Sequence, residues 1–191
     1  MRVRYLGEQG LGVYDVDLTQ RSFLRVEGEA DHLLIPGFVD IHIHGAFGID
    51  FMSASSEQII TWADALWNVG YEAFLPTTVT SSRDAILQAI DNIPEHPMIP
   101  GFHLEGPFIS RKFPGAQPQQ WIADVPQPGS EWDEILDHPK LRLITMAPEL
   151  EGGLALVAKL NRRGVIVSMG HTNATYAEAK AGEAAGATHT T

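Results

Sequence analysis

Two histidines stand one residue apart at the end of an apolar run, FVDIHIHG, residues 38–45. If that run is a β-strand, side chains at i and i+2 share a face. His42 and His44 then point together with Asp40 beneath them, while Ile41 and Ile43 point toward covering helices. Two imidazoles so placed can bind one metal ion through their ring nitrogens, or they can simply hydrogen-bond in a polar loop. Glu105 closes a second apolar run, in HLEGPF, residues 103–108. A buried carboxylate there is costly unless it is paired with Lys or Arg or bound to a metal. His103 shares its face and reads as core or as support for a ligand. His171 follows Gly170 in SMGHTNAT, residues 168–175, where a strand gives way to a helix. It is either a third imidazole of the site or incidental to a capping turn made by Thr172 or Asn173. The chain has no cysteine, so any metal must use His, Asp or Glu. His42, His44, Glu105 and His171 are the nitrogen and oxygen donors that a hydrolytic Zn²⁺, Fe²⁺, Mn²⁺ or Co²⁺ site would use.

These residues need elements that bring them to one place. Residues 1–35 read as short strands, 3–6, 13–18, 23–26 and 32–35, separated by polar or Gly-containing turns. This is too little sheet to close a sandwich alone. From residue 36 the rhythm changes to alternating strands and helices. Ser55 with Gln58 and Thr175 with Glu178 are capping boxes, and Gly70, Gly164 and Gly186 each close a helix just before a strand. Strands are expected over 73–79, 99–105, 141–149 and 165–171, with a last apolar run from Ala187 to Thr191. A helix starts at Ser81 or Ser82, and short helical pieces lie near 119–123 and 131–137. With the run at 38–44 this makes about six strands joined by parallel βα crossovers. No G-x-G-x-x-G or P-loop follows the first of them, which favours a barrel over an open doubly wound sheet. The fold class read from the sequence is therefore α/β. It is an incomplete (β/α)8 TIM-type barrel over residues 36–191, preceded by part of a small β-sandwich domain over residues 1–35. In such a barrel the C-terminal strand ends converge on one mouth, and His42, His44, Glu105 and His171 all fall at such ends.

The bulk composition removes several function classes. The formal net charge is −11, and no run of Lys or Arg exists beyond the pairs Arg111-Lys112 and Arg162-Arg163, so no nucleic-acid partner is expected. No stretch approaches the roughly 18 apolar residues of a membrane span. The first residues alternate and are polar, without the apolar core of a secretory signal, so a cytoplasmic location is expected.

PGFVDIHIHG, TTVTS, GFHLEGPFIS, GAQ and GHTNATYAEA resemble the N-acetylglucosamine-6-phosphate deacetylases of the amidohydrolase superfamily. HLEGPF followed by GHTNAT is quite specific within the superfamily, whereas the HxH pair marks only the superfamily. The resemblance implies metal-dependent hydrolysis of the N-acetyl group of N-acetylglucosamine 6-phosphate, giving glucosamine 6-phosphate and acetate in amino-sugar catabolism. It implies Glu105 and His171 as metal ligands and His42 and His44 as the pair that holds a second ion in some members, hence one or two divalent ions. It implies substrate contacts at Ala116 and Gln117. The second of these is His in some relatives, and an amide cannot titrate. It implies a homodimer when complete. Three family elements would lie beyond Thr191: a further metal histidine, which His189 is not, a catalytic Asp, and the remaining barrel strands. The 191-residue chain alone is accordingly expected to be inactive. Two other readings stay open. One is another amide-cleaving amidohydrolase, although TMAPE at the fourth strand end offers no lysine for the carbamylated bridge of some relatives. The other is a non-catalytic metal- or partner-binding fragment.

Overall fold

The computed structural model describes residues 1–8 and 10–191. The chain divides into two compact units, Met1–Gly37 and Phe38–Thr191.

In the first unit β1 (Arg2–Gly7), β2 (Gly10–Asp17) and β3 (Ser22–Val26) form an antiparallel sheet in the order β1-β2-β3. Val3, Tyr14 and Val16 are its buried residues, with Tyr5 and Leu34 packed against them. β2 stops at Asp17, one residue short of expectation. The Asp17 carboxylate accepts hydrogen bonds from the backbone N–H groups of Thr19 and Gln20, at 2.9 and 3.1 Å, and so turns the chain. The strand expected over residues 32–35 is reduced to one parallel bridge between Leu33 and Arg4. Pro36, which cannot donate to a ladder, follows at once.

In the second unit strands and helices alternate. After β4 (Phe38–Ile43) come the short hairpin β5 (Gly45–Ala46) and β6 (Ile49–Asp50), then α1 (Ser56–Asn68), β7 (Tyr71–Pro76) and α2 (Arg83–Asp91). β8 (Phe102–Glu105) leads through a long loop to α3 (Asp133–Leu136). β9 (Leu141–Met146), α4 (Gly153–Arg162), β10 (Ile166–Met169), α5 (Tyr176–Ala185) and β11 (His189–Thr190) follow. β4 pairs with β7, and β8, β9, β10 and β11 pair in chain order; all these pairings are parallel. Between β7 and β8 the ladder narrows to one parallel bridge, Thr77 with His103, where the Thr78 N–H donates to the His103 carbonyl at 3.0 Å.

Both capping boxes are present. Ser55 and Gln58 bond reciprocally at the start of α1, as do Thr175 and Glu178 at the start of α5. Ser82 caps α2. The strands are shorter than the apolar runs suggest, for local reasons. Gly101 lies so close to the Lys140 carbonyl that no side chain fits there, and Pro100 before it has no N–H to contribute. β10 ends before Gly170 because His171 adopts the left-handed region at φ 48°.

The strands then alternate as pleating demands. Phe102, Leu104, Ile144, Met146 and Val167 join the large apolar core with Trp62, Phe74 and the inner faces of the helices. Glu105, Thr145 and Ser168 occupy matched positions on β8, β9 and β10 and carry polar groups on the opposite face. Ile43 packs toward the core as expected. Val39 and Ile41 instead stay exposed, on a strand that pairs on one side only.

Candidate metal centre

The end of β4 is fixed by its neighbour β7. The Ile43 N–H donates to the Thr77 hydroxyl at 2.9 Å, and the Thr77 N–H donates to the Ile43 carbonyl at 2.9 Å. Thr77 is fully buried and its own hydroxyl donates to the Leu75 carbonyl at 3.0 Å. This grip sets the backbone between the two histidines. The His44 Nδ1 lies 3.0 Å from the Thr77 carbonyl, which can only accept, so Nδ1 carries the proton and Nε2 faces the site. The backbone N–H of His42 donates to Asp40 at 3.0 Å.

Glu105 sits at the centre, with its side chain 4% exposed. Its Oε1 is 3.2 Å from His42 Nε2 and 3.1 Å from His171 Nε2. Its Oε2 is 3.2 Å from His44 Nε2 and accepts from Gln117 Nε2 at 2.7 Å. The two Nε2 atoms of His42 and His44 are 3.3 Å apart. Donor atoms of His42, His44 and Glu105 all lie within 4.8 Å of one another, as one metal ion requires. His171 joins this group from the other side, through Glu105 Oε1. Of the four expected ligands, three thus form one tight group and the fourth touches its carboxylate. The partners of the Glu105 carboxylate among the described residues are imidazoles and an amide, so an ordinary ion pair with Lys or Arg is not what balances it.

Burial alone would push the Glu105 carboxyl up. The hydrogen bonds from His42, His44 and His171 together outweigh it and hold the group well below the usual carboxylate range. The hydrogen bond between His44 and Glu105 pushes His44 up, against its partial burial. Three imidazole nitrogens and an ionised carboxylate with no fixed cation among them are a donor set suited to a borderline divalent ion.

Around these four lie supporting residues: His103, read from the sequence as core or as support, and Thr145, Thr191, Ser168 and Thr78, which the sequence reading does not single out. His103 is 1% exposed and stands edge-on to the His42 ring, centroids 4.7 Å apart. Its Nδ1 is 2.9 Å from the Ile41 carbonyl and its Nε2 is 2.8 Å from the Thr145 hydroxyl. Burial, helped by the nearby His42, pushes its pKa down to about 3, so it is a neutral ring with the proton on Nδ1. The Thr145 hydroxyl continues to Thr191 at 3.0 Å, and Thr191 to Ser168 at 2.6 Å. The Glu105 N–H donates to the Thr78 hydroxyl at 3.2 Å. The available signal was TTVTS, a run of hydroxyls directly after a strand. Ala116 is exposed, while its neighbour Gln117 is turned inward and buried.

The amidohydrolase family model matches residues 33–191. The chain belongs to the amidohydrolase family. An N-acetylglucosamine-6-phosphate deacetylase of Bacillus subtilis is 36% identical over 178 residues, covering 87% of this amidohydrolase chain and 44% of that protein. Among solved structures, the N-acetyl-D-glucosamine-6-phosphate deacetylase of Mycobacterium smegmatis matches with a TM-score of 0.81 and 29% identity, over 100% of this chain and 55% of that one. A mutant of the M. smegmatis enzyme in complex with N-acetyl-D-glucosamine-6-phosphate matches with a TM-score of 0.74 and 35% identity, over 85% of this chain and 45% of that one. The family expected from HLEGPF and GHTNAT is the family these comparisons return. The chain spans about half the length of the curated relatives it matches.

Proposed function

We propose that this chain is the first part of a metal-dependent deacetylase that converts N-acetylglucosamine 6-phosphate to glucosamine 6-phosphate and acetate. The observation that carries this reading is the buried Glu105 carboxylate facing the Nε2 atoms of His42, His44 and His171. The likeness to deacetylases so named, one of them solved with the acetylated sugar phosphate, supplies the substrate class.

In this reading Glu105, His42, His44 and His171 hold one or two divalent ions. Such an ion supplies Lewis acidity, polarising an amide carbonyl and bringing the deprotonation of water toward neutral pH. The side chains of this chain do the rest of the positioning. Glu105, kept ionised by its imidazole partners, is a ligand and not a proton carrier. Thr77 fixes the His44 tautomer, and His103 supports His42 from behind. Proton transfer to the leaving amine falls to an Asp outside these 191 residues. Ala116, exposed on its loop, is offered to the substrate. We further propose that the six parallel strands are the first arc of a (β/α)8 barrel, that the three N-terminal strands belong to a small β-sandwich, and that the complete protein is a cytoplasmic homodimer.

The test is metal analysis of the purified chain together with a deacetylation assay of the full-length protein. One or two equivalents of metal, lost in E105A, and release of acetate from N-acetylglucosamine 6-phosphate are expected. Metal content unchanged in E105A and H171A would assign these strand ends a purely structural role. Turnover by residues 1–191 alone would show that the proton carrier lies within them.

A further inference from the structure

Gln117 occupies an unusual place among the four groups around Glu105. Three of those groups are imidazoles that can ligate a metal. The fourth is an amide nitrogen, which carries two hydrogens and no lone pair to offer an ion. The orientation of that amide is set by a second contact: the Thr80 N–H donates to Gln117 Oε1 at 2.7 Å. A backbone N–H can only donate, so Oε1 must face Thr80 and Nε2 must face Glu105, where it donates to Oε2 at 2.7 Å. Both bonds are short and the residue is 7% exposed.

The same short segment also grips His171. The Ser110 N–H donates to the His171 carbonyl at 2.8 Å. Gly115, at φ 57°, lies against the imidazole, and a Cβ there would stand 3.0 Å from its Cε1 and 3.2 Å from its Nδ1. The turn itself is closed by the Gln117 N–H donating to the Pro114 carbonyl at 3.0 Å.

We propose that Gln117 is a positioning residue for the Glu105 carboxylate, and that the segment 110–117 is a clasp that holds Glu105 and His171 in place for metal. The inference rests on the reading of Glu105 as a ligand, and it gives Gln117 a role distinct from touching substrate. When a cation takes up the imidazole nitrogens, the amide cannot follow them. It stays on Oε2 and fixes which lone pairs of the carboxylate remain for the ion.

The experiment titrates the 191-residue chain with Co²⁺, following visible absorption, and repeats the titration with Q117M. Circular dichroism and the melting temperature without metal are recorded alongside. Q117M is expected to bind Co²⁺ about tenfold more weakly, with an altered absorption envelope. Affinity within twofold and an unchanged envelope would overturn the proposal. If Q117M does not fold, Q117A decides, because it removes both amide contacts without adding a charge or a metal ligand. Weaker binding with a shifted envelope in Q117A supports the clasp, and unchanged binding refutes it. Wild-type chain that binds no Co²⁺, or binding untouched in E105A, removes the ligand reading and the clasp with it. Normal wild-type binding that ignores Gln117 removes the clasp alone.

Discussion

The two halves of the metal centre are built differently. His42 and His44, at the end of β4, are 31% and 41% exposed in their side chains, and a neighbouring strand holds them through backbone and threonine contacts. Glu105 and His171, 4% and 20% exposed, come from strands far apart in the sequence and are held by a loop that belongs to neither. A pair two residues apart gets its mutual geometry from one short stretch of backbone, here the end of β4, where the register with β7 is irregular between Asp40 and Ile43. A pair assembled from two strands depends on whatever spans them, which here is the segment 110–117.

The sharpest way to break this comparison is at Glu105. E105A removes the group that all three imidazoles face, and metal affinity is expected to fall by at least about 100-fold, beyond the range seen for residues that merely support ligands. H171A should fall short of that, because the donor group of His42, His44 and Glu105 remains. Competition with a calibrated chelator measures both variants. Equal losses would mean that the halves are not unequal and that His171 is as central as Glu105.

The open half is tested at Thr77. T77V keeps the shape but leaves the partly buried Ile43 N–H without its hydroxyl acceptor, at a cost of about 1 kcal/mol. Urea unfolding of the metal-free chain should show that loss, with weaker metal binding following from a loosened His44. The buried half has its counterpart at Gly115. G115A forces an L-residue into the left-handed region and presses a methyl on the His171 ring, for about 1–2 kcal/mol from the backbone alone. If G115A weakens metal binding and T77V does not, the loop dominates the geometry. The reverse result would hand that part to the β4–β7 pairing.

What the sequence discloses follows the same division. The spacing of His42 and His44 is local, so strand periodicity brings them to one face in the sequence reading, and they remain together although β4 ends at Ile43 with an irregular register. The capping boxes at Ser55 and Thr175 are equally local, and both stand in the structure. Glu105 and His171 are 66 positions apart and meet only if the chain between them is read as βα units placing both at strand ends. That reading succeeds because the helix stops at Gly70, Gly164 and Gly186 are unambiguous. Gln117 resists such reading. Whether it faces solvent or Glu105 depends on Thr80, 37 positions earlier, and no pattern around FPGAQP reports that contact. His103 was noted on the Glu105 face, but its neutral state follows from Ile41 and Thr145, which only the folded sheet supplies. The strand expected over residues 32–35 failed for a related reason: its apolar residues were legible, its lack of a full-length partner was not.

The smallest expected effect lies away from the site and calibrates the others. At the start of α5 the Glu178 carboxylate accepts from the Thr175 N–H at 2.7 Å, and that backbone bond, with the Thr175 hydroxyl, holds the carboxyl below its ordinary value. A carboxyl depressed in the folded state contributes stability that is present above the unfolded value, about 4 for glutamate, and lost as pH falls through the folded one. E178Q should therefore narrow the difference in melting temperature between pH 6 and pH 3, while T175A removes the cap itself at about 1 kcal/mol. Neither should move metal affinity measured at neutral pH, because the capping box touches none of the residues around Glu105. A change in affinity in either variant would mean that the seat of α5 is transmitted to His171 through the intervening residues 172–175. The buried half of the centre would then depend on the following helix as well as on the clasp.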